Sequence, residues 1–142
     1  MMQEVDTNAA KKVDKSKYVK GIFINVYEHS VSEHLFKKKP QGGIDLKEVY
    51  EVIDCDLVER APLSNYGFYD EDHDLLMDEE GLFKQTPGFF LSKVFVMGNV
   101  VIFGVNWEQG DWQNADIQVS KIIEKIVWLD TQTAHGLASQ GL

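Results

Sequence analysis

The stretch that most limits what this chain can become is Val94 to Val105, VFVMGNVVIFGV, an apolar run broken only by Gly98-Asn99 and Gly104. β-branched and aromatic side chains favour extended backbone, and a segment this apolar has to be buried. Gly98-Asn99, set between Val94–Met97 and Val100–Val105, suits a two-residue hairpin turn because glycine tolerates the positive φ such turns require. The first expectation is therefore a core hairpin near the middle of an antiparallel sheet.

Immediately upstream lies its opposite. Residues 70–80 carry seven carboxylates (Asp70, Glu71, Asp72, Asp74, Asp78, Glu79 and Glu80) and neither Lys nor Arg. Repulsion within such a run favours exposure to water, and a partner bearing Lys or Arg would relieve it. The segment is expected to form a charged edge, with Asp70, Asp72, Asp74, Glu79 and Glu80 as binding residues.

The 142 residues, 44% hydrophobic, suit one domain with its own core. Residues 1–17 are polar and aperiodic and read as a flexible leader, 18–130 as the domain and 131–142 as a flexible tail. The formal charge of −9 is uneven: residues 1–42 are net +3 and residues 43–142 net −12. An acidic body repels phosphates, which argues against direct nucleic-acid binding. A single cysteine, Cys55, excludes an intrachain disulfide and fits a reducing, cytoplasmic setting; its neighbours Asp54 and Asp56 are expected to raise the thiol pKa. No run is long enough to cross a bilayer as a helix.

Along the chain, YVKGIFINVYE reads as a strand from near Tyr18, with Ile22, Ile24 and Val26 on one face and Phe23 on the other. HSVSEHLFKKKPQGG reads as a loop with a short helical turn at its start. A helix is expected from Asp45 to Ile53, with Asp45 as N-cap, Glu48 at capping-box spacing, and Leu46, Val49, Tyr50 and Ile53 on one face. CDLVERAPL suits a strand, LSNYGFYDEDHD a turn, and DLLMDEEGLF a strand, a Glu-Gly turn and the start of another strand. NWEQGDWQN reads as a loop. Ile117 or Val119, Ile122, Ile123, Ile126 and Val127 recur at helical spacing, so a second helix is expected over Asp116–Leu129, followed by a frayed tail. The fold class that results is α+β, one domain, a mainly antiparallel sheet with a central hairpin and two packed helices.

A strand, then GGIDLKEVYEVIDCDLVE, MDEEGLFK, VMGNVVIFG and a terminal helix: this order resembles the phage- and mobile-element-associated domain-of-unknown-function family 3846 over residues 19–130. The resemblance implies a small α+β domain of viral or mobile-element source, and it brings no known catalytic residues, because the family is uncharacterised. Where the family has a Leu-Pro-x-Asn-like segment after the Glu-Gly turn, this chain has TPGFFLSK, so no role is carried over to that segment.

Chemistry-bearing patterns are sparse. Asp70, Asp72 and Asp74 have the alternate spacing of a calcium loop, but Leu75 and Gly81 stand where its glycine and bidentate glutamate belong. His29, His34, His73 and His135 fit no zinc spacing, the serines lie in no GxSxG elbow, and the glycines form no phosphate loop. No cofactor, metal or catalytic set is expected, and the chain is read as non-enzymatic. Phe89, Phe90, Trp107 and Trp112 are expected beside the hairpin, either plugging the core or, for Trp107 and Trp112, anchoring a partner. The leading expectation is a viral or mobile-element accessory protein, in the host cytoplasm, binding a host or viral protein through its acidic edge; the oligomeric state is left open. The alternatives are an acidic nucleic-acid mimic that occupies a host DNA-binding or restriction enzyme, and a small-ligand or nucleotide-binding domain.

Overall fold

The computed structural model describes residues 14–140 of the chain. It is an α+β domain with two antiparallel sheets. The main sheet runs β2-β1-β7-β4-β3, formed by Ser30–Lys37 (β2), Tyr18–Asn25 (β1), Val100–Asn106 (β7), His73–Asp78 (β4) and Val58–Pro62 (β3), and Asp111–Gln113 (β8) also pairs with β7. The second sheet has three strands in the order β6-β5-β9: Val94–Met97 (β6), Gly88–Leu91 (β5) and Ile126–Leu129 (β9). Three α-helices accompany them, Leu46–Ile53 (α1), Val119–Ile123 (α2) and Thr131–Ser139 (α3).

The apolarity of β7 follows from its place. Val100 and Ile102 belong to a core shared with Ile22, Ile24, Leu75 and the inner residues Phe89, Leu91 and Val96 of the second sheet. Val101 and Phe103, on the opposite face, pack with Val19, Phe36 and Leu76 against Val49 and Ile53 of α1. The central strand is thus covered on both faces, by a sheet on one and a helix on the other, and needs hydrophobic residues at each of Val100 to Phe103. Gly21 sits beneath the second layer: a Cβ there would lie 2.9 Å from Phe103 Cε1 and 3.1 Å from Phe36 Cε1, so its lack of a side chain lets those two rings meet at 5.0 Å.

Several expectations are corrected. Val94–Met97 and Val100–Val105 are not a hairpin: β6 pairs with β5 and β7 with β1 and β4, so Gly98-Asn99 is a crossover between sheets. Gly98 has φ 84°, as a tight turn requires, but Asn99 is buried and its Oδ1 accepts the Val26 N–H at 2.9 Å, a tertiary contact that redirects the chain. The true tight hairpin is β5–β6, turning at Ser92-Lys93 with Ser92 at φ 56°. HSVSEHLFK is no loop; eight residues pair in register with β1, joined by a turn in which Asn25 Oδ1 accepts the N–H groups of Tyr27 and Glu28. The loop NWEQGDWQN contains β8, folded back on β7 through a turn with Gly110 at φ 64°. After Glu79-Glu80 the chain makes a 3-10 turn, Gly81–Phe83, where a strand start was expected.

The helix expected over Asp116–Leu129 is only α2; β-branched Ile126 and Val127, with Trp128, leave helical geometry to pair with β5. Ile126 and Trp128 then face the shared core, a gain of buried area that outweighs local helical spacing. The stretch read as a frayed tail forms α3, capped by Asp130 whose Oδ1 accepts the Thr133 N–H at 2.7 Å, with Ala134 fully buried. Of the expected leader, residues 1–13 lie outside the described residues; Lys15–Lys17 form a 3-10 turn capped by Asp14. The helix predicted from Asp45 is there, with Asp45 Oδ1 accepting the Lys47 N–H. Its Glu48, however, closes no capping box and instead accepts the Lys37 N–H of β2 at 2.9 Å.

Candidate functional site

The acidic run is taken apart by the fold. β4 occupies its middle, so Asp72 and Glu79 lie beyond opposite ends of a strand whose six residues span about 17 Å at about 3.3 Å each. Within it Asp74 and Asp78 are buried, 4% and 8% exposed, which corrects the expectation of an exposed edge for Asp74. Asp74 lies between Trp112 and Arg60: its Oδ2 accepts the Trp112 Nε1–H at 3.2 Å and stands 3.5 Å from Arg60 Nε. Asp78 binds Lys84 Nζ at 2.7 Å, and that hydrogen bond raises the Lys84 pKa. Sequence order hid both counter-charges, which come from β3 and from the segment after the 3-10 turn.

Asp70 is committed to His73. His73 Nε2 accepts the Asp116 N–H at 2.8 Å, so the ring proton sits on Nδ1 and is donated to the Asp70 carboxylate at 2.8 to 2.9 Å. Both nitrogens of a buried ring are satisfied, and the Asp-His pair pins the 114–117 segment beneath the sheet. Asp72 goes elsewhere, accepting the Trp107 Nε1–H at 3.3 Å. Asp70, Asp72 and Asp74 therefore diverge to three partners and do not converge on a cation, and among the described residues no group of three or more His, Cys, Asp or Glu is placed to hold a metal.

The two tryptophans also part. Trp112 is half-buried and stacked on Phe103 at 5.6 Å, a core role, as is that of fully buried Phe89. Phe90 faces outward on the second sheet, against Phe95. Trp107, at the tip of the β7–β8 turn, is 65% exposed with its indole N–H tied to Asp72. It borders a cleft of about 540 Å³ with Lys39, Ile44, Leu46, Arg60 and Trp112 on its walls. Beside the same end of β4, Tyr69 is fully exposed and Glu71 and Asp72 face solvent. Of the expected binding residues, Asp70, Asp72, Asp74, Trp107 and Trp112 gather at this end; Glu79 and Glu80 lie at the other. Tyr69 and Arg60 were not anticipated, and no spacing in the sequence marks them.

Cys55 is partly buried, and burial, reinforced by Asp78 and more weakly by Asp56, pushes its thiol up to about 11. The direction is the one expected from its neighbours, but desolvation is the main cause. Among the described residues no helix is long and apolar enough to cross a membrane. No family model matches the chain, and neither a curated protein nor a solved structure does.

Proposed function

We propose that this is a non-enzymatic accessory protein that docks a partner protein through the acidic, aromatic end of its main sheet. The observation that carries the reading is Trp107, a large aromatic held in the open by a carboxylate and bordering a cleft. Exposed Trp and Tyr are the side chains most often found at the energetic centre of protein interfaces. Around them Glu71 and Asp72 supply negative potential without a Lys or Arg in direct contact among the described residues, so the favoured partner presents Lys or Arg. A phage or mobile-element source, with action in the host cytoplasm, is the setting suggested by the sequence resemblance. The nucleic-acid mimic is less well supported, because a mimic needs a continuous carboxylate array and two members of this one are buried against Arg60 and Lys84.

The test uses a partner captured with tagged protein and then titrated in purified form. Trp107→Ala should weaken binding by about tenfold or more while changing stability by no more than about 0.5 kcal/mol. Glu71→Gln with Asp72→Asn should slow association and flatten its salt dependence. Unchanged affinity in Trp107→Ala, with an unchanged on-rate in the double variant, would sink the proposal.

A further inference from the structure

The outer face of the second sheet is only partly covered. α3 closes one end of it, where a Cβ on Gly88 would lie 3.3 Å from Ala134 Cβ. In the next outward row Phe95, Phe90 and Val127 stand opposite one another across all three strands. Val127 is 58% exposed there, and Phe90 and Phe95 are half-buried. Lys93 precedes Phe95 by two residues and Lys125 precedes Val127 by two. The Ser92 N–H donates to the Lys125 carbonyl at 2.7 Å, which holds both lysines at one end of this sheet. Neither lysine is in an ion pair among the described residues. Segments 88–97 and 121–129, which build the face, carry Lys93, Lys121 and Lys125 against the single carboxylate Glu124, on a chain whose formal charge is −9.

This basic, apolar face abuts the acidic end of the main sheet. Lys125 Nζ lies 5.4 Å from the centre of the Phe68 ring, and a Cβ on Gly67 would lie 2.5 Å from Ser92 Oγ. Tyr69, Asp70, Glu71 and Asp72 follow directly, around an open concavity of about 650 Å³. Tyr69, Glu71 and Asp72 face solvent. One strip of surface therefore holds two halves side by side: two exposed carboxylates with a tyrosine, then two lysines with an apolar row.

A strip with an acidic half and a basic half becomes complementary to itself when a second copy is turned about a two-fold axis between the halves. We propose that a second copy of this chain docks here as a two-fold dimer, Glu71 and Asp72 of each copy facing Lys93 and Lys125 of the other. Tyr69 of each then covers the Phe95, Phe90 and Val127 row of its mate. The inference rests on the docking role given to the acidic end above and names a partner for it. Charge complementarity selects this occupant: a partner bringing only Lys or Arg would meet the carboxylates and leave the lysines and the apolar row uncovered.

Sedimentation equilibrium of the full chain over about 1–200 μM should give a monomer–dimer equilibrium that stops at two copies and weakens as salt rises from about 0.05 to about 0.5 M. Lys93→Glu with Lys125→Glu, and separately Glu71→Lys with Asp72→Lys, each set like charges against one another and should weaken dimerisation about tenfold or more. All four side chains are exposed, so both variants should keep the circular-dichroism spectrum of the parent. Mixed together, the two variants regain opposite charges at both contacts and should form a one-to-one heterodimer. A parent chain that stays monomeric throughout, growth beyond two copies, or no heterodimer in the mixture would overturn the inference. None of these results touches the docking of a different basic partner, which is read from that partner's affinity for Trp107→Ala.

Discussion

His73 shows how much structure one side chain can hold when both of its nitrogens are engaged. It joins the Asp70 turn to the Asp116 backbone, so His73→Leu leaves the Asp116 N–H without its acceptor and removes the partner of a carboxylate. We predict a loss of about 1–3 kcal/mol in urea unfolding. Trp112→Ala removes a ring stacked on Phe103 and leaves buried Asp74 with one partner fewer; it should cost about 3–5 kcal/mol, far more than Trp107→Ala. Cys55 reports on burial in another way. With its thiol pushed up to about 11, it should react with iodoacetamide at pH 8 markedly more slowly than free cysteine. The folded state holds this proton more tightly than the unfolded chain does. Its stabilising contribution is therefore complete below 9.0 and is lost as pH rises through about 11, a decline that Cys55→Ala should lessen in alkaline melting curves.

At the scale of elements, α1 was legible because a helix cap and a helical apolar stripe are local signals. Asp45→Ala should cost about 1 kcal/mol. β7 was equally legible as a strand, since the β-branched Val100, Val101, Ile102 and Val105, with Phe103 among them, leave little alternative. Its partners were not. The Gly98-Asn99 turn chemistry is compatible with a hairpin or a crossover, and the choice rests on Asn99 reaching Val26, a residue 73 positions away. Ile126–Leu129 illustrates the same competition: helical spacing continues through it, but the open edge of β5 and the shared core decide for strand. Gly21, unremarkable in sequence, sits where two aromatic rings cross, and Gly21→Ala should destabilise by about 1–3 kcal/mol through overpacking, measurable by chemical denaturation.

Over the whole molecule, the two sheets do not have separate interiors. Residues of β1, β4 and β7 interleave with those of β5, β6 and β9 in one cluster, so neither sheet can lose its packing without exposing the other. Unfolding followed by far-ultraviolet circular dichroism and by tryptophan fluorescence should therefore give one coincident transition; two separated midpoints would show that the sheets unfold independently.

Local chemistry in the sequence determined the α+β class, the capped helix from Asp45, the buried character of Val100–Val105 and an acidic body. Each of these depends on neighbours within a turn or two, or on composition. The strand partners, the division of the acidic run and the separate fates of Trp107 and Trp112 were decided only in the tertiary structure. Arg60 lies fourteen residues before Asp74 and Lys84 six after Asp78, yet strand pairing and a 3-10 turn bring their charges within 3.5 and 2.7 Å of those carboxylates. A carboxylate's surroundings, and hence whether it faces water or a counter-charge, depend on which distant segments the sheet brings beside it, and that information is carried by the packing of the whole chain.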